Sequence, residues 1–286
     1  MKKTKYLREL IEQDEILVLP GGGTPLVGII AEKIGFKSVY MSGYGASAFQ
    51  LGYPDIGLMT MSESLTQAKN MAGATNLPLI SDIDTGYGNA INVKRTVKEY
   101  ELAGISGVQI EDQDFPKKCG HMEEKKLISS EEMVGKIKAA VDAKTDQDFV
   151  IIARTDARTV IGFEESIKRA NLYAEAGADV IFVESPLNEE EVRKIPSLVN
   201  APVMINMSEG AKTPLFDNHE LQEMGYKIVV WPSSVTWSVA ATIKKTLEEI
   251  MENGTTNNML DEMITFHDFN SLMGLDKFIS DAKKYE

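Results

Sequence analysis

The sequence predicts an α/β protein, a single (β/α)8 TIM-type barrel with a C-terminal helical extension. Three observations predict it. Short β-branched runs alternate with stretches of helical period about eight times along the chain. No Pro-, Gly- or Ser-rich linker interrupts the rhythm. Glycines 35, 104, 177 and 225 each stand where a helix-like stretch ends and a new run begins, the place of a left-handed helix cap. An open doubly wound sheet is the alternative, but about eight units without a central break favour closure.

Taken in order, strands are expected at 16–19, 38–41, 79–82, 107–110, 149–153, 180–183, 203–205 and 227–230. Helix-like stretches include 92–103, 130–143, 163–176 and 218–224. The run Gly21-Gly22-Gly23 after the first strand lacks the G-x-G-x-x-G frame of a dinucleotide site and reads as a tight turn. After Thr242 the chain becomes charged helix and a polar segment. The expected division is therefore a catalytic barrel over 1–242 and an extension over 243–286, suited to packing or exchange between subunits.

The 30 basic and 43 acidic residues give a net charge of −13, which disfavours nucleic acid and anionic membranes as partners. The basic start lacks an apolar signal core, and no stretch reaches the roughly 20 apolar residues of a membrane span. A cytoplasmic protein acting on a small molecule is the expectation.

In such a barrel, chemistry sits at the C-terminal ends of the strands. Those ends carry Ser42-Gly43-Tyr44, then Asp82 and Asp84, then Glu111, Arg154, Glu184 and Asn206. Asp-x-Asp in isolation is more often turn chemistry than a metal site. With Glu111 and Glu184 at equivalent ends the balance reverses, and two carboxylates without histidine or cysteine partners suit Mg²⁺, or Mn²⁺. Arg154 closes the apolar run 149–153, where burial would require a carboxylate: Asp156 or Glu184 within the chain, or a substrate's. Cys119 is the only cysteine of 286 residues. Its neighbours are charged and polar, which argues for a reactive loop thiol, and Lys117, Lys118 and His121 would favour its thiolate.

The elements Glu111-Asp112-Gln113, Lys117-Lys118-Cys119-Gly120-His121 and Ala153-Arg154-Thr155-Asp156-Ala157 resemble those of the isocitrate lyase/phosphoenolpyruvate mutase superfamily, from about Leu17 to about Pro232. The cysteine motif resembles the short carbon–carbon lyases of that family. The resemblance implies a homotetramer with an exchanged C-terminal helix. It also implies metal-binding Asp82 and Asp84 with Glu111 behind them, and a 2-oxo acid held by Ser42, Gly43 and Tyr44. A mobile loop would bring Cys119 and Gly120 onto the substrate, with His121 and the lysines holding it shut. Arg154, Glu184 and Asn206, Met207 and Ser208 would line the remainder. Where methylisocitrate lyases resemble one another in two carboxylate-binding arginines, this chain aligns Trp237 and Phe266. Losing such a charged contact costs on the order of 2–5 kcal/mol, which disfavours a tricarboxylate.

The implied reaction is aldol-type cleavage of a 2-hydroxydicarboxylate, foremost 2,3-dimethylmalate to pyruvate and propionate. Tyr44 or Glu111 would be the base and Cys119 the acid. Methylisocitrate cleavage, oxaloacetate hydrolysis and cleavage of another alkylmalate are the enzymatic alternatives. A non-catalytic barrel that binds a 2-oxo acid is the alternative of another class.

Overall fold

The computed structural model describes all 286 residues. Eight parallel strands close into a barrel in sequence order: β1 (Leu17–Gly22), β2 (Val39–Met41), β3 (Leu79–Asp82), β4 (Gly107–Glu111), β5 (Val150–Thr155), β6 (Val180–Val183), β7 (Val203–Asn206) and β8 (Ile228–Trp231). Pairing of Leu17 with Ile228 through Pro20 with Trp231 makes the seam. Each strand is followed by a helix, from Pro25–Ile34 after β1 to Ser234–Asn253 after β8. The four glycines expected to end helices all have positive φ, from +86° to +105°. The expected strands coincide with the observed ones to within three residues, the widest gap being the C-terminal end of β1.

Two apolar layers follow from the two-residue alternation of the strands. Outward residues such as Val108, Ile110, Ile151, Ile181 and Ile205 pack under the helices. Inward residues, among them Leu19, Tyr40, Ile80, Ile152, Phe182, Met204 and Val230, fill the barrel itself. The helix Lys3–Glu12 plugs the N-terminal end with Leu7, Leu10 and Ile11. The run of three glycines does more than turn the chain. A β-carbon on Gly21 would lie 2.6 Å from Pro232 Cα, and one on Gly23 would collide with the Gly45 backbone, so these residues let β1 approach its neighbours closely.

The chain forms two compact units, Met1–Val235 and Thr236–Glu286. The division falls seven residues before the expected 242, because the helix Ser234–Asn253 runs unbroken through the change in composition at Thr242. The second unit buries only Thr236 and Met259 and exposes a long apolar set including Leu247, Met251, Phe266 and Phe278. No helix is long and apolar enough to cross a membrane.

Candidate active site

The inward alternation that fills the barrel with apolar side chains continues at its C-terminal end with polar ones: Ile80–Asp82–Asp84, Gln109–Glu111, Ile152–Arg154–Asp156, Phe182–Glu184 and Met204–Asn206–Ser208. These side chains meet. Arg154 Nη1 lies 3.3 Å from Glu184 Oε2, and its Nε lies 3.5 Å from Glu111 Oε2. Asn206 Nδ2 reaches Glu184 at 3.3 and 3.4 Å. Gly43 stands against Asp82, where a β-carbon would be 2.9 Å from Oδ2. Ser42 Oγ accepts the Gly45 amide, so its hydroxyl shapes the turn that carries Gly43 and Tyr44. Two residues at the mouth, Asp84 and Ser185, have φ of +49° and +54°, a conformation that side-chain-bearing residues adopt only where the surroundings enforce it.

The β3–β4 side is rich in acid. Asp82 Oδ1 accepts the Asp84 amide at 3.0 Å, and Asp84 Oδ1 is 2.8 Å from Lys117 Nζ, which also grips Asp55. One ammonium thus pairs with two carboxylates, with Asp82 and Glu111 also within its field. Burial pushes Asp82 up, and pushes Asp84 up to about 6, despite Lys117. Burial likewise holds Glu111 well above the usual carboxylate range against the pull of Arg154, and its Oε1 is buried without a partner. No three His, Cys, Asp or Glu side chains converge on one point suited to a metal. Asp82 and Asp84 would offer a hard cation such as Mg²⁺ two carboxylates, leaving water and substrate oxygens to complete its shell.

The β5–β6 side is balanced. Arg154 forms a fork with Asp156, both bonds 2.9 Å, and Lys125 Nζ reaches Asp156 Oδ1 at 2.8 Å. Burial would raise Asp156, but the two cations hold it well below the usual range. Glu184 is also lowered: burial is outweighed by Arg154 and His121. Of the partners expected for Arg154, those within the chain take the fork.

The segment after β4 folds over these ends. Cys119 N donates to Asp55 O at 3.1 Å, and Gln113 exchanges two bonds with the Lys118 backbone. A β-carbon on Gly120 would sit 2.5 Å from Arg154 Nη2 and 2.7 Å from Glu184 Cδ, so only glycine lets the loop descend this far. The expected thiolate is overturned. Burial raises the Cys119 thiol above its ordinary value, with the His121 backbone only partly offsetting it. Lys117 is neutralised by Asp55 and Asp84, while Lys118 points outward to Glu123 and Glu124. Burial also lowers His121, whose Nδ1 pairs with Ser185 Oγ at 3.1 Å.

Met207 requires a second correction. It is an outward residue of the β7 alternation, and its sulfur receives the Phe216 amide at 3.3 Å in the barrel–helix layer. Its neighbours Asn206 and Ser208 face in, and Ser208 Oγ lies 2.6 Å from Ser233 Oγ. Trp237 and Phe266 belong to the C-terminal unit, where Phe266 is 88% exposed. Sequence reasoning missed Asp55, Lys125 and Ser185 as parts of the site.

A closed parallel barrel with ionisable groups massed at the C-terminal strand ends, under a loop bearing one thiol, has the form of an enzyme active site. Residues 7–251 match the phosphoenolpyruvate phosphomutase family. The chain is 46% identical to 2,3-dimethylmalate lyase of Eubacterium barkeri, covering 97% of this chain and 96% of that one. It is 47% identical to 2-methylisocitrate lyase of Aeropyrum pernix, over 94% and 86% of the two chains. The solved structure of oxaloacetate acetylhydrolase in complex with 3,3-difluorooxalacetate superposes with a TM-score of 0.95 at 34% identity, over 99% and 97% of the two chains. The chain belongs to the phosphoenolpyruvate mutase/isocitrate lyase superfamily, and it is an enzyme of the lyase kind.

Proposed function

We propose that the protein is a Mg²⁺-dependent carbon–carbon lyase that cleaves 2,3-dimethylmalate to pyruvate and propionate. The observation that carries this reading is a loop thiol that burial keeps protonated, on a segment folded over strand ends that carry the carboxylates Asp82, Asp84 and Glu111. Such a thiol is a proton donor rather than a nucleophile. The likeness to 2,3-dimethylmalate lyase along nearly the whole chain supports the choice of substrate.

Asp82 and Asp84 would hold the cation, with Glu111 behind them. When bound, it supplies stabilisation for negative charge developing on the C1 and C2 oxygens of the substrate. The Ser42-Gly43-Tyr44 turn orients that end of the molecule, next to Asp82. Glu111, whose Oε1 is buried without a partner, or Tyr44 would take the C2 hydroxyl proton. The C2–C3 bond then breaks, and its electrons pass to C3 beside the second carboxylate. Cys119 Sγ delivers a proton to that carbon, giving propionate. Arg154, already paired with acids of the chain, acts chiefly by fixing Glu184 and the loop rather than by clamping substrate.

A second reading, 2-methylisocitrate cleavage, rests on the near-equal identity to the Aeropyrum pernix enzyme. Oxaloacetate hydrolysis is a third, from the structural likeness to the acetylhydrolase. We also propose a homotetramer, supported by the exposed apolar set of the C-terminal unit.

A panel of 2-hydroxydicarboxylates, read as pyruvate released with Mg²⁺ present, tests the assignment. The dimethylmalate should be cleaved fastest, and a chelator should stop the reaction. Faster release from methylisocitrate would replace the substrate, and chelator-insensitive release would remove the cation. In the same assay Cys119→Ser should lower kcat by about 10²–10⁴-fold with analogue binding retained; near-normal turnover would defeat the thiol's role.

A further inference from the structure

Lys125 lies on the same loop as Cys119, six residues on, in the charge run Glu123-Glu124-Lys125-Lys126. Such a run ordinarily faces solvent, yet the Lys125 side chain is only 1% exposed. Its ammonium makes two contacts, one on each side of the closure. It donates to the carbonyl of Gly120, the residue after the thiol, and to Asp156 Oδ1 on the barrel at 2.8 Å. Asp156 is itself fixed by the Arg154 fork, and Gly120 packs directly on Arg154 and Glu184. On the same side His121 Nε2 lies 3.8 Å from Glu184 Oε1 and Ser185 Oγ bonds the Gly120 carbonyl at 3.4 Å, but only Lys125 brings a permanent charge to the tip. Lys117 grips the opposite side, through Asp55 and Asp84.

We propose that Lys125 is a positioning residue, the latch that keeps the Cys119–Gly120 tip down on the strand ends. The proposal deepens the reading of Cys119 as proton donor, because the thiol can reach a substrate carbon only while the tip is down. A hydrogen bond from a charged donor biases an open–closed equilibrium by about tenfold to a hundredfold. Without the ammonium, the loop should spend correspondingly more time open.

Cys119 is the only thiol, so its modification reports closure without any substrate. The experiment compares the rate of labelling by the neutral reagent 4,4′-dithiodipyridine at pH 7 in the full chain, in Lys125→Met and in Lys118→Ala. Lys125→Met should label about tenfold faster or more, with a melting transition still present. Lys118→Ala, which changes a surface lysine of the same loop, should label at the native rate. With the best acid from the substrate panel, Lys125→Met should lower kcat more than it raises KM. Unchanged labelling of Lys125→Met, or equal acceleration by both substitutions, would overturn the latch. If Lys125→Met does not yield folded protein, Lys125→Gln carries the same comparison. Because labelling needs no substrate, a wrong substrate assignment leaves this result standing, and an open loop leaves the assignment standing.

Discussion

On the β3–β4 side of the mouth, Asp82, Asp84 and Glu111 are buried with less positive charge than they need, and all three are pushed up from the usual carboxylate range. On the β5–β6 side, Asp156 and Glu184 are equally buried but pushed down, since Arg154 and Lys125 match them charge for charge. The residue types are the same and the strand positions equivalent; only the supply of cations differs. Burial alone disfavours every one of these charges, so the sign of each shift shows whether the chain has completed the site locally. One side is finished structure that supports a loop. The other is short of positive charge, and under the proposed function a cation would supply it.

The largest effect expected from this contrast is on the finished side. Asp156→Asn removes the shared acceptor of two buried cations and should destabilise the chain by about 3–5 kcal/mol. Urea denaturation measures it. A loss as small as that of a surface substitution would mean that the cations find water or other partners, and the side would not be closed. Asp82→Asn should behave differently. An amide keeps the oxygen that accepts the Asp84 amide while removing a charge from a crowded set, so the metal-free chain should stay within about 1 kcal/mol of the parent. Mg²⁺ binding followed by calorimetry should nonetheless weaken sharply. Loss of several kcal/mol in the metal-free chain would show that the acid cluster is structural, and unchanged Mg²⁺ affinity would place the cation elsewhere.

How far each side could be read in the sequence follows from the same contrast. The barrel and its strand-end acids were legible because apolar runs of period two stop abruptly at ionisable residues. Arg154 was legible for the same reason. The alternation also contained the correction for Met207, since inward Asn206 and Ser208 require the residue between them to face out. What escaped was pairing across long separations. Lys117 meets Asp55, 62 residues away, and so lends the neighbouring thiol no positive charge. Lys125 meets Asp156, 31 residues away, from within a run that reads as solvated. Adjacency in the chain suggested a thiolate; burial in the folded loop reversed it.

The smallest effect concerns that thiol, whose backbone amide is tied to the Asp55 carbonyl. Burial raises its pKa, so the folded chain keeps the proton to higher pH than the unfolded chain does. The associated stability is therefore complete below the ordinary thiol value and is lost as pH rises through the folded one. Labelling depends on the thiolate, so its pH profile should be displaced to higher pH than that of N-acetylcysteine in the same buffer. A profile displaced to lower pH would restore a thiolate and a nucleophile, and with it a different chemistry. The His121 imidazole, lowered by burial, is neutral at pH 7 and gains its proton only in acid. It should therefore contribute no step to the profile above neutrality. Opening the loop by Lys125→Met should return the profile toward that of the free thiol, because desolvation is the first cause of the shift and solvent would then reach the sulfur.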